Sequence, residues 1–375
     1  QLMVISPGIP VDAPFTDVVR NAGIPIWSEI ELAYHYGKGK IAAITGTNGK
    51  TTTTALVGEI VKAHNAKTIV VGNIGIPYTE LCDTTDDDSD TVAEISSFQL
   101  ETVIDFHPNV SAILNLTPDH LNRHYTFENY GNVKFSITKN QTMDDVTVLN
   151  YDDEHTRAMG EKAKDHCHVV YFSRLEKPAG GVYVEDGDII LEDGDKKINV
   201  LAIKDLKLMG AHNVENVLAA VGISYYMGVP VDVIRDVATS FKAVAHRIEY
   251  VDTIDGVAYY NDSKGTNPDA AIKGIQAMVA PTFLIGGGYD KGSEYDEWIE
   301  AFDGKVKWLV LIGQTAQKIA DCAKRHGFNS IIFEENLQDA VAYCHENAVD
   351  GDAVLLSPAC ASWGQFDNYE QRGDM

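Results

Sequence analysis

Lys50 and Thr51 close a loop that begins at Gly46 and turns again at Gly49, directly after the apolar run Ile41-Ala-Ala-Ile-Thr45. That spacing suits phosphate. Glycines at 46 and 49 let the backbone turn tightly with its N–H groups facing inward, the lysine reaches the outer phosphates of a nucleotide, and the threonine hydroxyl is placed for Mg2+. The loop is a short form, GxxGKT, because the full pattern needs a glycine where the chain has Ile44. Two further polar groups also follow apolar runs. Glu94 opens Glu94-Ile-Ser-Ser-Phe-Gln-Leu-Glu101 and supplies a carboxylate, an oxygen ligand of the kind Mg2+ prefers. The stretch from Leu114 to His124 carries His120, either a metal ligand or a hydrogen-bonded loop histidine.

Together these residues are what joining a carboxylate to an amine requires. The acid does not react at neutral pH because oxide is a poor leaving group, so ATP must first convert it to an acyl phosphate. Phosphoryl transfer to an anion then needs metal ions and lysines to neutralise charge. Acids, histidine and lysine belong in one site.

Such a site must be held by alternating strands and helices. Residues 41–45, 68–72, 91–95 and 110–115 read as strands, and 50–63 and 127–138 as helices, the signature of a parallel sheet wrapped by helices. Asp-Gly turns within 181–203 predict an appended antiparallel hairpin, with helices at 213–220 and 231–241. The pattern resets between Phe241 and His246. Strands at 257–261, 282–286, 307–312, 330–333 and 353–357 then alternate with helices at 268–278, 314–325 and 336–347, predicting a second, Rossmann-like doubly wound domain. The leading strand-like run Leu2–Ile5 and the turn Ser6-Pro-Gly-Ile-Pro10 cannot form a domain alone, so 1–37 read as the closing part of an N-terminal α/β domain. The expected division is 1–37, 38–243 and 244–375.

Composition narrows the partners. A chain of 375 residues with formal net charge -25 is poorly suited to nucleic acid, and no apolar stretch reaches the ~18 residues that cross a bilayer. Cys82, Cys167, Cys322, Cys344 and Cys360 show no CxxC spacing, which favours packed, reduced thiols in a cytosol. Asp86–Asp88 and Glu334–Glu335 read as solvated surface.

Over essentially its whole length the sequence resembles the Mur ligases. Seven blocks recur in order: GTNGKTT at 46–52, EISSFQLE at 94–101, TPDHLNRH at 117–124, GAHNVENVLAA at 210–220, HRIE at 246–249, NDSKGTNPDA at 261–270 and LLSPACASWGQFDNYEQRGD at 355–374. The last is similar to members that add D-glutamate, and the DNPR signature of diaminopimelate-adding members is absent. The resemblance implies ATP-dependent amide formation between UDP-N-acetylmuramoyl-L-alanine and D-glutamate for peptidoglycan, by a monomer in the bacterial cytoplasm with two Mg2+ sites.

It also implies roles for individual residues. Gly46, Thr47, Asn48, Gly49, Lys50, Thr51 and Thr52 would hold ATP phosphates, with Asn213, Arg247 and Asp262 gripping the rest of the nucleotide from two domains. Thr51 and Glu94 would hold one Mg2+, and His120 the other beside a carbamylated Lys134. Carbamylation exchanges an ammonium that repels Mg2+ for a hard oxygen ligand. Lys264, Thr266, Lys291, Ser362 and Tyr369 would receive D-glutamate, Asn73 and Ser96 the muramoyl-alanine, and Ser6 and Gly8 the diphosphate.

Three positions depart from the family pattern: Asn122 stands where an aspartate is expected, Gly131-Asn-Val133 replaces alanine-like residues before Lys134, and Ala245 precedes His246. Gly131 in a helix should cost up to about 1 kcal/mol and loosen the lysine. Alternatives are a folylpolyglutamate-type or other Mur-type ligase, or a non-catalytic P-loop ATP-binding module. A Rossmann dehydrogenase, suggested by Gly286-Gly-Gly288, lacks GxGxxG after a strand.

Overall fold

A computed structural model describes residues 1–73, 75–208, 210–242 and 245–375, with Asn122 described by its backbone alone. The described residues fall into two compact units that divide after Lys242. The first opens with β1 (Met3–Ile5), α1 (Pro14–Asn21), β2 (Ile26–Ser28) and α2 (Glu29–Tyr36), β1 pairing with β2 in parallel. There follow β3 (Lys40–Thr45), α3 (Lys50–His64), β4 (Ile69–Gly72), α4 (Tyr78–Leu81), β5 (Asp90–Glu94), α5 (Ser97–Leu100), β6 (Val110–Ile113), α6 (Leu121–His124) and α7 (Phe127–Phe135). Next come β7 (Val146–Asn150), α8 (Glu154–Ala163), β8 (His168–Ser173), β9 (Gly181–Glu185), β10 (Asp188–Asp193), β11 (Lys196–Ala202), α9 (Ala211–Tyr226) and α10 (Val231–Ser240).

One nine-stranded sheet orders these strands β11-β10-β9-β8-β7-β6-β3-β5-β4, parallel from β4 across to β9 and antiparallel for β10 and β11. Ile41 through Thr45 are all buried, as befits a central strand with both faces covered. Alternate residues Ile41 and Ala43 join Ala93, Ile113, Ile30 of α2 and Tyr130 of α7 in one apolar core, while α3 packs against α9. The hairpin expected over 181–203 is a three-stranded meander. The stretch 139–180, whose pattern gives little away, contains β7, α8 and β8.

The second unit comprises β12 (Glu249–Ile254), β13 (Val257–Asn261), α11 (Pro268–Ala277), β14 (Thr282–Gly286), α12 (Asp296–Glu300), β15 (Val306–Leu311), α13 (Ala316–Arg325), β16 (Ile331–Phe333), α14 (Leu337–Asn347), β17 (Ala353–Leu356) and α15 (Tyr369–Asp374). Its sheet runs β12-β13-β17-β14-β15-β16, with β12 alone antiparallel to its neighbour. Leu284, Leu309 and Leu311 pack with α11, α12 and α13, whereas Phe283, Ile285 and Val310 pack with α14. This alternation places helices on both faces. Gly287 explains the glycine run without a dinucleotide: with φ 99°, a Cβ there would lie 2.2 Å from the Ile312 carbonyl oxygen.

Gly131 also has a packing reason. A Cβ on it would lie 3.0 Å from Leu116 Cδ2 and 3.4 Å from Met159 Cε, so the glycine lets α7 approach its neighbours closely. Contrary to the expected loosening, Lys134 is only 2% exposed. Asn122's side chain lies outside the described residues. Among those residues no helix is long and apolar enough to cross a membrane.

Candidate active site

Register aligns the strand ends that build the first site. Ile44 of β3 pairs with Glu94 of β5, Glu94 with Gly72 of β4, and Thr45 with Ile113 of β6, so the loops leaving these strands emerge side by side. Loop 46–49 begins there. Gly49 has φ 83°, and a Cβ on it would lie 2.2 Å from Asn216 Oδ1, so geometry and space both demand glycine. Asn115, after β6, pins the loop: its carbonyl accepts from Thr47 N (3.0 Å), its Oδ1 from Asn48 N (2.8 Å), and its Nδ2 donates to the Asn48 carbonyl (3.1 Å). The loop then feeds the N-terminus of α3, whose first-turn N–H groups and dipole attract phosphate. Lys50 Nζ folds back on the Gly46 and Thr47 carbonyls (2.9 and 2.8 Å). Thr51 is buried and Thr52 half-buried in the first turn. Asn213 enters from α9, accepting from Asn216 Nδ2 (3.1 Å).

Beside the loop is a cavity of about 240 Å3 lined by Lys50, Asn73, Ser96, Ser97, Phe98, Asp119, His120, Tyr130 and Lys134. Next to it, Glu94 is 1% exposed. Its Oε1 accepts from Asn73 Nδ2 (2.7 Å), while Oε2 has no hydrogen-bond partner among the described residues. A carboxylate oxygen buried in that state costs several kcal/mol unless a cation joins it. The position therefore fits a divalent ion. His120 caps α6 with φ 53°, a left-handed conformation costing a histidine about 1 kcal/mol or more, and its ring lies 4.9 Å from that of Phe98. Ser96 caps α5 through a reciprocal pair with Gln99.

Lys134 Nζ donates to the Gly46 carbonyl (2.9 Å) and Thr45 Oγ1 (3.3 Å). Burial, then the charge of Lys50, holds its amine well below the ordinary lysine range. Tyr130, whose ring lies 4.8 Å below Nζ, has its hydroxyl 3.1 Å from Thr47 Oγ1. Asp119, Ser97, Phe98 and Tyr130 escaped the sequence reading of the site, although all but Tyr130 lie inside quoted motifs. Ser6 and Gly8 occupy the turn after β1 and do not line the cavity.

The second unit repeats the principle. Asn261 of β13 and Ile285 of β14 both pair with Leu356 of β17, so the loops after these strands lie together. Lys264 lies over the Tyr369 ring (5.6 Å), Lys291 over the Trp363 ring (4.4 Å), and Ser362 is buried beside the Tyr289–Ala361 bridge. Thr266 N donates to the Lys264 carbonyl (2.8 Å). Buried Arg372, inside the block 355–374 but given no role in the sequence reading, ties the loops together through Ser263 Oγ (3.0 Å), the Ser263 carbonyl (2.7 Å) and the Cys360 carbonyl (3.1 Å). Arg247 is half-buried just before β12.

Asp262 accepts from Ser357 Oγ (2.6 Å) and Ile248 N (3.2 Å), and burial pushes its carboxyl up to about 6. Since the folded state binds the proton more tightly than the unfolded one, this group's contribution to stability falls as pH rises from about 4 to about 6. The cost at neutral pH is about 3 kcal/mol. Asp262→Asn still accepts from Ile248 N at Oδ1 and, with the second bond reversed, donates from Nδ2 to Ser357 Oγ; it should stabilise the protein at pH 8 by roughly 1–3 kcal/mol, with little gain at pH 4. Denaturant unfolding at the two pH values measures it.

Comparison with known proteins adds a family to this geometry. Residues 44–224 match the family model of the Mur ligase middle domain, and residues 246–360 that of the Mur ligase glutamate ligase domain. A UDP-N-acetylmuramoylalanine–D-glutamate ligase of Lachnospira eligens is 59% identical over 373 residues, covering 100% of this chain and 82% of that protein. The chain belongs to the Mur ligase family. A ligase of the same description from Lachnoclostridium phytofermentans is 54% identical over the same shares. Solved Mur ligases share the fold: MurF from Acinetobacter baumannii has a TM-score of 0.59 at 18% identity, over 88% of this chain and 76% of that one. A Thermotoga maritima MurF ligase in complex with ADP has a TM-score of 0.57 at 17% identity, over 95% and 91%.

Proposed function

We propose that this Mur ligase forms the amide between UDP-N-acetylmuramoyl-L-alanine and D-glutamate, using ATP to make an acyl phosphate. The reading is carried by one observation: Lys50 of the phosphate loop, the half-partnered Glu94 carboxylate and the desolvated amine of Lys134 share one small region of the first unit. Names of the relatives from Lachnospira eligens and Lachnoclostridium phytofermentans support the acceptor. ADP in the Thermotoga maritima structure supports the nucleotide.

Loop 46–49 and Lys50 to Thr52 would cradle the ATP phosphates, while Asn213, Arg247 and Asp262 orient the rest of the nucleotide. Thr51 and Glu94 fit one Mg2+, and His120 with a carbamylated Lys134 a second; bound metal would neutralise charge on the transferring phosphoryl group. Desolvation shifts Lys134 toward its neutral amine, the form that attacks CO2, so its surroundings favour carbamylation. The acid's alanyl end would lie against Asn73 and Ser96. Lys264, Lys291 and Ser362, with Thr266 and Tyr369, would bind the two carboxylates of D-glutamate. Residues 1–37 are read as the closing part of a UDP-binding domain, with Ser6 and Gly8 at the diphosphate. Residues 38–243 are read as the ATP-binding domain and 244–375 as the amino-acid-binding domain of a cytoplasmic monomer.

Phosphate release tests the proposal. ATP hydrolysis is expected to require both the muramoyl acid and D-glutamate, and other amino acids should be poor acceptors. Turnover independent of either substrate would refute the assignment.

A further inference from the structure

Arg123 joins three separate parts of the first unit. Its Nε donates to Glu101 Oε1 (3.0 Å) and its Nη2 to Glu101 Oε2 (2.6 Å), a two-pronged ion pair that ties α6 to the end of α5. The same Nη2 donates to the Ile9 carbonyl (2.8 Å), in the turn that carries Ser6 and Gly8. Its guanidinium carbon lies 5.0 Å from the centre of the Phe98 ring, whose own neighbour at 4.9 Å is His120. Arg123 is 12% exposed and Glu101 7%, so the pair is held away from bulk water. A second tie runs parallel: the Tyr125 hydroxyl donates to the Asp12 carboxylate. The short helix α6 is thus bound to segment 9–12 by Arg123 and Tyr125 and starts at the strained His120.

We infer that Arg123 is a positioning residue that couples occupancy of the turn at residues 6–12 by the acid substrate's diphosphate end to the placement of His120 through the Phe98 ring. The inference rests on the ligase reading above and extends it: the nucleotide half of the substrate, remote from the reacting carboxylate, acts on kcat as well as on KM. Binding energy from an unreacting part of a substrate raises kcat when it holds reacting groups in place. Lysine cannot replace this arginine, because one ammonium cannot span the carboxylate, the carbonyl and the ring face together.

The experiment compares kcat for the complete acid with kcat for its muramoyl-alanine fragment lacking uridine diphosphate, in the wild-type protein and in Arg123→Lys. Wild type should turn the fragment over at least about tenfold more slowly at saturation. Arg123→Lys should lower kcat for the complete acid about tenfold, leave kcat for the fragment nearly unchanged, and keep KM for ATP. Tyr125→Phe, at an exposed position, should narrow the same ratio by a smaller factor and keeps the test open if Arg123→Lys does not fold. Equal loss with both substrates, equal kcat for both in wild type, or unchanged ratios in both variants overturns the coupling. Failure of the ligase reading looks different, since wild type would then release no phosphate in response to the complete acid and D-glutamate.

Discussion

Lys134→Ala is expected to lose activity by on the order of 10^3-fold, and short carboxylates such as formate or acetate should restore a substantial part of it. The amine lies beside the Gly46 carbonyl and Thr45 Oγ1 at the root of the phosphate loop, nearly sealed from water. Alanine leaves a space where a carbamate oxygen would stand, and a small free carboxylate can enter and present the same hard donor. Steady-state phosphate release with and without added formate measures both effects. Retention of most activity by Lys134→Ala removes the carbamate role. A loss that no carboxylate relieves would mean that the lysine serves as a buried hydrogen-bond donor instead. Its depressed amine has a linked consequence: between the folded and the ordinary lysine values the unfolded chain binds the proton that the folded one releases, so this group favours folding more as pH rises.

Lys50→Ala should abolish nucleotide turnover, with kcat/KM for ATP down by at least about 10^3-fold, because no other side chain at the start of α3 carries a charge to the outer phosphates. In the present structure Nζ bonds the Gly46 and Thr47 carbonyls, so nucleotide must draw it out of the loop. The substitution removes those two bonds from a partly buried position, and the loop remains pinned through Asn115. Stability should therefore change by only about 1–2 kcal/mol. Calorimetric titration with a nucleotide analogue, alongside a melting curve, separates the two effects. Turnover surviving in Lys50→Ala would remove this loop from the reaction.

Much of this was legible in the residues, for reasons that differ from place to place. β3 and β14 are buried on both faces and announce themselves as apolar runs, and the loops they feed carry the polar motifs. β7 is just as buried, yet Thr147 bonds Ser111 and Asn150 bonds the Leu114 carbonyl, so hydrogen-bonded polar residues interrupt its run. β12 fails for the opposite reason: nearly all of it is exposed at a sheet edge, and it has no buried face to set an alternation. In the site, Glu94 ends β5 and His120 lies in the loop after β6, so both could be found from position. Lys134 and Arg372 could not, because each is a charged residue on a helix whose burial is created by distant segments. Only family resemblance pointed to the first, and the second lay inside a quoted block without a role of its own.

The outermost strands have a consequence for behaviour at high concentration. β11 opens with Lys196 and Lys197, and β12 carries Glu249 and Asp252 along its exposed length. An open sheet border is a template for strands from other molecules, and charged side chains there make such recruitment unfavourable. In a crowded cell these borders keep two large open sheets from zipping onto their copies.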